Sequence, residues 1–261
     1  MAVSEDKIKS GVEGLDKMLN GGLPKNSITL LHGGPGSGKT TLGLQFLMEG
    51  AKKGEHGLYI AMEENAEEIV KNAEKIGMDV KKYLEDRIIT VHVLRVSRGM
   101  KELTATGAGN WLISVKTFGS NAGFSGEMTG ESFGSIIKTL VEKAKATRLC
   151  LDSLSMFSTQ FSENFDLRYE TIMLVRLLET TGCACILTSQ AAPGGTMLFG
   201  PEEYLTHGVI NLHYFQSGNS WLQAIQILKM RGTAHDRQMR PYKITDKGIV
   251  VYPTENVFGG R

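Results

Sequence analysis

Cysteine is scarce in this chain of 261 residues: Cys150, Cys183 and Cys185 are the only three. An odd count set in apolar runs (RLCLD and CACIL) argues against a disulfide framework and fits reduced cytoplasmic thiols buried in strands. Cys183 and Cys185 would share a strand face, but nothing nearby completes a four-ligand metal set, so they are expected in the core. An excess of one charge is also lacking. With 29 Lys and Arg against 28 Asp and Glu, the net charge of +1 gives no global pull toward nucleic acid or an anionic membrane. No run approaches the ~20 apolar residues of a membrane helix. The opening MAVSEDKIKSGVEG has charges but no apolar core, so no secretory signal is expected. Internal repeats and linkers are absent too, and residues 1–261 are expected to form one domain.

The remaining composition, 41% hydrophobic and 22% charged, is that of a globular protein. Short apolar runs at 27–32, 57–62, 87–94, 148–152 and 183–189 read as strands. They alternate with helical patterns at 40–53, 65–76, 134–146 and 166–181. That alternation predicts an α/β fold, a mostly parallel sheet with helices on both faces. After residue 207 only strand patterns follow (HGVINLHYFQ, SWLQAIQILKM, PYKIT, GIVVYP), which predicts antiparallel hairpins extending the sheet at one edge. The Gly-, Ser- and Thr-rich stretch 99–132 reads as a long loop, either a surface hairpin or a flexible excursion, or else a substrate or partner loop.

The segment GGPGSGKT at 33–40 matches the phosphate-binding pattern G-x-x-x-x-G-K-[ST]. An apolar strand ends at His32 and an apolar helix follows, the context this motif needs. Gly34, Pro35, Gly36, Ser37 and Gly38 would turn backbone N–H groups inward as an anion nest over a helix N-terminus, with Thr41 beside them. Lys39 would reach the β- and γ-phosphates of ATP, and the Thr40 hydroxyl would ligate Mg²⁺. Asp152 ends a strand and is placed to hold Mg²⁺ through water, although such an aspartate can also simply cap a helix. Glu63 and Glu64 follow another strand at the same sheet edge, where a carboxylate can deprotonate the attacking water. Glu67 and Glu68 suit the first turn of the next helix instead. Ser189 and Gln190 close the strand CACILTSQ and could sense the γ-phosphate, or merely end a polar strand tip.

Lys229 and Arg231 stand two apart on an expected edge strand. They are either solvated edge charges or fingers entering a neighbouring subunit's site.

These residues carry a family resemblance. IKSGVEGLDKMLNGGLPKNSITLLHGGPGSGKT, QFLMEGA, AMEENAEEIVKNAEKIGMD, LCLDSLSMF and ILKMRGTAHDRQMRPYKITDKGIVVYP resemble one domain of KaiC, from about Ile8 to Pro253. The phosphate loop is specific only to the superfamily; the paired glutamates with KMRGTAHDR are specific to the family. The resemblance implies a RecA-like core assembled as a homo-oligomeric ring, typically a hexamer, with ATP between subunits and a regulatory or signalling output. It assigns catalysis to Glu63 and Glu64, and places Lys229 and Arg231 at the neighbour's γ-phosphate. Thr233, His235 and Arg237 would lie near the neighbour's ribose and base.

Three departures matter. Where the autokinase half of KaiC carries an adjacent Ser-Thr pair, residues 202–206 read EEYLT, like the ATPase half, so autophosphorylation is not expected. Only TENVFGGR follows Pro253, too short for the peptide that binds a clock partner. Asn26 stands where the family often has glycine, and Asn tolerates positive φ.

A competing class shares the core: a RecA/RadA paralogue that uses ATP on single-stranded DNA. Against it, FSTQFSENFDLR and AAPGGTMLFGPEEY together hold one cation, Arg168, too few for a single-strand groove. Nucleic acid is therefore not expected as a partner. A nucleotide-dependent scaffold that does not hydrolyse is disfavoured by the intact set Lys39, Asp152, Glu63 and Glu64.

Overall fold

The computed structural model describes residues 7–98, 111–117, 120–123, 129–158, 164–190, 200–217 and 220–257. A two-stranded ribbon, β1 (Lys7–Ile8) with β2 (Leu23–Pro24), flanks α1 (Glu13–Met18). The core then alternates β3 (Ile28–Gly33), α2 (Lys39–Ala51), β4 (Gly57–Ala61), α3 (Ala66–Lys75), α4 (Val80–Glu85) and β5 (Ile89–Arg98). The hairpin of β6 (Trp111–Thr117) and β7 (Ser120–Gly123) leads to α5 (Gly130–Ala144) and β8 (Arg148–Asp152). Next come α6 (Leu154–Ser158), α7 (Asn164–Thr180), β9 (Ala184–Gln190) and α8 (Pro201–Leu205). Strands β10 (Gly208–Ser217), β11 (Ser220–Met230), β12 (Arg240–Thr245) and β13 (Gly248–Val251) close the chain.

One sheet of 11 strands runs β13-β12-β11-β10-β3-β9-β8-β4-β5-β6-β7. Its centre, β10 through β5, is parallel, and antiparallel strands extend it at both ends. The C-terminal extension is the expected one. The extension at the other end bears out the hairpin reading of 99–132 and adds that the hairpin joins the sheet. Its described parts form β6 paired to β5, with β7 paired to β6, and its last residues start α5. The rest of that stretch, including any partner loop, lies outside the described residues.

Strand alternation assigns side chains to two cores. Leu58 and Ile60 pack with the α5, α6 and α7 side, whereas Tyr59 and Ala61 pack with the α1 to α4 side. On β8, Leu149 and Leu151 take the first side and Cys150 the second, so Asp152 faces the N-terminal end of α2. Helix α2 reaches the sheet closely because Gly43 has no Cβ; one placed there would stand 2.4 Å from Cys150 Sγ. All three cysteines are buried, as expected. Among the described residues no helix is long and apolar enough to cross a membrane.

Candidate active site

The C-terminal ends of β3, β4, β8 and β9 converge with the start of α2 around a cavity of about 500 Å³. Pro35, Gly36, Gly38, Lys39, Thr40 and Thr41 border it on one side, and Glu63, Glu64, Asp152, Ser153 and Gln190 on another. Leu44, Ile69, Ile76 and Ile244 give it an apolar end.

The loop between β3 and α2 depends on glycine. Gly36 and Gly38 sit at φ 73° and 93°, values that L side chains rarely adopt. A Cβ added at Gly34 or Gly36 would meet nothing within 4 Å, so this wall opens onto free space. The Ser37 hydroxyl is buried and finds no partner among the described residues. Lys39 Nζ donates to the carbonyls of Gly33 (2.8 Å) and Gly34 (3.1 Å). Burial lowers its pKa from the ordinary lysine value, opposed by the charges of Asp152 and Glu63. A desolvated ammonium hydrogen-bonded to two carbonyls, beside an orphaned hydroxyl and a glycine turn facing free space, is suited to an oxyanion.

Asp152 gathers three hydroxyl donors: Thr40 Oγ1 at 2.7 Å and Tyr59 OH at 2.5 Å on Oδ2, and Thr188 Oγ1 at 2.5 Å on Oδ1. Among the described residues no cluster of three His, Cys, Asp or Glu side chains could hold a metal. The Thr40 and Asp152 oxygens nonetheless fit Mg²⁺, which binds through one or two carboxylates plus phosphate and retained water.

Glu63 accepts a hydrogen bond from the Ser153 hydroxyl and longer ones from Gln190 Nε2, at 3.4 and 3.5 Å. The turn carrying it is tied down by Arg95, whose guanidinium donates to Glu63 O at 3.0 Å and to Asn65 Oδ1 at 2.6 Å. Burial first, then the charges of Asp152, Glu68 and Glu63, raise the Glu64 carboxyl above the ordinary glutamate value. As expected, Glu67 and Glu68 fall in the first turn of α3.

The two sensor candidates separate. Gln190 borders the cavity, whereas Ser189 is buried, with its hydroxyl 3.4 Å from Ser155 Oγ. Tyr59, Thr188 and Arg95 were not singled out from sequence. The available signal was a tyrosine in an otherwise apolar buried strand, since a buried phenol needs a hydrogen-bond acceptor.

Lys229, Arg231, Thr233, His235 and Arg237 do not border this cavity. Strand β11 is not a true edge strand. It pairs with β10 along its length and with β12 at Ala224 and Ile225, which leaves Lys229 unpaired on the β12 side. Arg231 Nη2 and Lys229 Nζ both donate to the Tyr204 carbonyl, at 2.7 and 3.4 Å. Burial and the neighbouring Arg231 charge lower the Lys229 pKa, with Glu203 opposing. Register sets their distance from the phosphate loop. Met230 pairs with Gly208, and Gly208 with Thr29, whereas Gly33 pairs with Leu212. At about 3.3 Å per residue, the finger end of β11 lies roughly 13 Å or more from Gly33 along the sheet. Thr233 accepts from Lys7 Nζ (2.5 Å), His235 is half-buried, and Arg237 is exposed. In α8, Glu203 is buried, and Thr206 just beyond it is fully buried, donating to Glu202 O at 2.8 Å.

Comparison with known proteins gives a consistent pattern. The family described as KaiC ATPase matches residues 8–256. A UPF0273 protein of Pyrococcus furiosus is 31% identical over 257 residues, covering 98% of this chain and 97% of its own. The circadian clock protein KaiC3 of Synechocystis is 28% identical over 253 residues, covering 95% of this chain but 46% of that protein. Among solved structures, a KaiC-like protein of Pyrococcus horikoshii gives a TM-score of 0.74 at 29% identity, over 95% of this chain and 99% of that one.

Proposed function

The chain belongs to the KaiC family of ATPases, and we propose that it hydrolyses ATP to ADP and phosphate, as one domain, in sites completed between neighbouring copies of itself. The carrying observation is the meeting of the phosphate loop, Asp152, Glu63 and Glu64 around one cavity. The loop N–H groups, Ser37 and Lys39 receive the phosphates, while the apolar end at Leu44, Ile76 and Ile244 suits a flat base. Thr40 and Asp152 would hold Mg²⁺, which would supply neutralisation of the phosphate charge. Glu63, fixed by Ser153 and Gln190, orients the attacking water. Glu64, with its raised carboxyl, is the better proton acceptor. Gln190 reports the γ-phosphate to the segment that follows it, and Ser189 supports that strand end from beneath.

Lys229 and Arg231 act in trans. They project from the end of the sheet remote from their own phosphate loop, which suits the place at a neighbour's γ-phosphate that the family resemblance implies. Thr233, His235 and Arg237 accompany them toward the neighbour's nucleoside. The assembly is a ring, a hexamer by family resemblance, with a regulatory or signalling output in the cytoplasm, a setting that accords with three free buried thiols. Solution mass with and without Mg·ATP, measured alongside phosphate release, tests this. A larger assembly and steady phosphate release are expected; an active monomer would sink the trans assignment, and a silent oligomer the hydrolytic one.

A further inference from the structure

The finger residues are anchored by a part of the fold that also touches the phosphate-loop strand. His32 is the residue before Gly33 on β3, and its Nε2 lies 2.6 Å from Glu203 Oε1 on α8. Both side chains are largely buried, at 14% and 8% exposure. The other polar atoms of the pair, His32 Nδ1 and Glu203 Oε2, are buried and have no hydrogen-bond partner among the described residues. Among the described residues each side chain thus has only the other as a hydrogen-bond partner, while the Lys229 charge also acts on Glu203. A buried pair of this kind strongly resists separation, because parting it leaves two desolvated polar groups unmet.

The next residue along α8 is Tyr204, whose carbonyl holds Arg231 and Lys229. A second set of bonds fixes the base of the same unit. His207 N donates to Ile28 O, and Arg231 N donates to His207 O, at 2.8 and 2.9 Å. The Arg231 backbone is therefore tied to β3 through His207, while its guanidinium is tied to β3 through Tyr204, Glu203 and His32. Tyr204 offers the guanidinium a neutral carbonyl, which aims it without cancelling its charge.

We infer that Glu203, held by His32, is a positioning residue that aims Arg231 into the neighbouring subunit's site and couples it to the strand that carries its own phosphate loop. This rests on the trans reading above. Lys39 Nζ donates to Gly33 O at 2.8 Å, so nucleotide that draws Lys39 onto its phosphates changes the restraint on Gly33 beside His32, and the change reaches the next site through the aim of Arg231.

The test uses mixed rings. A finger donor, Glu63→Gln/Glu64→Gln, lacks its own base but offers Arg231; an acceptor, Arg231→Ala, keeps its base but lacks the finger. Mixing them should restore hydrolysis. Adding Glu203→Ala to the donor should then lower the recovered rate about 10–100-fold, the scale of a misplaced catalytic group. The same change in the acceptor should leave the recovered rate within about twofold. Glu203→Gln in the donor, which keeps a partner for His32, should retain most of the rate. A structural role would depress both arms alike. His32→Ala, carried through the same two arms, is the second variant should Glu203→Ala not assemble. Equal losses in the two arms, no loss in either, or failure of both variants to assemble would overturn the inference. Silence of the parental mixture would instead overturn the trans assignment beneath it.

Discussion

Replacing Tyr59 by phenylalanine isolates the support of Asp152. The ring is fully buried, and its hydroxyl lies 2.5 Å from Asp152 Oδ2. Burial, reinforced by the Asp152 charge, holds the phenol well above its ordinary pKa, so it stays protonated and donates. Phenylalanine keeps the packing and removes only the donor. A hydrogen bond to a charged group contributes about 1.5–3 kcal/mol. Thr40 and Thr188 remain on the carboxylate, so the lower part of that range, about 1.5–2 kcal/mol, is expected in urea unfolding of the nucleotide-free protein. Since about 1.4 kcal/mol is tenfold in an equilibrium, the Mg²⁺ concentration for half-maximal hydrolysis should rise roughly tenfold. Lost stability with an unchanged Mg²⁺ requirement would reduce Tyr59 to a structural donor. No change in either measurement would refute the claim that this hydroxyl orients Asp152.

Lys39→Ala should abolish ATP binding or turnover while circular dichroism reports an intact fold; normal affinity and turnover in the folded variant would contradict the phosphate assignment. Glu63→Gln/Glu64→Gln should retain ATP but lose about 10²–10⁴-fold in rate, the worth of a general base; parental turnover would move that role elsewhere, with Asp152 the next suspect. Prolonged incubation with Mg·ATP should leave Tyr204 and Thr206 unmodified by mass spectrometry. Thr206 is fully buried, and Glu202 and Glu203 stand where phosphoacceptors would be needed; stoichiometric phosphopeptides would overturn this.

The parts legible in sequence share one property: their chemistry is local. The phosphate loop is eight consecutive residues, Asp152 ends a short apolar run, and Gln190 ends a strand whose apolar start passes into Thr188 and Ser189. The parallel core followed from alternating periodicity, and the C-terminal hairpins from strands without intervening helices. What escaped depends on pairing at a distance. Tyr59 reaches Asp152 across 93 residues, and Thr188 across 36, once β4, β8 and β9 lie side by side. The β6 and β7 hairpin was among the readings of 99–132, but its pairing onto β5 was not, because that depends on a strand outside the stretch. Helix α8 escaped because five residues are too few to show a period.

Strand β10 sets where Lys229 and Arg231 stand relative to the phosphate loop. It pairs parallel with β3 from Gly208 to Leu212 and antiparallel with β11 over its whole length. The antiparallel return reverses direction, so β11 delivers Lys229 and Arg231 to the opposite end of the sheet from Gly33. A parallel crossover would have carried them to the same end, where they would compete with Lys39 for the phosphates of one site. The choice of a hairpin after β10 therefore separates the phosphate loop from Lys229 and Arg231, as the proposed trans role requires. Because β3, β10 and β11 form one hydrogen-bonded ladder, the separation is rigid, and only the side chains and α8 remain to adjust how the finger is aimed.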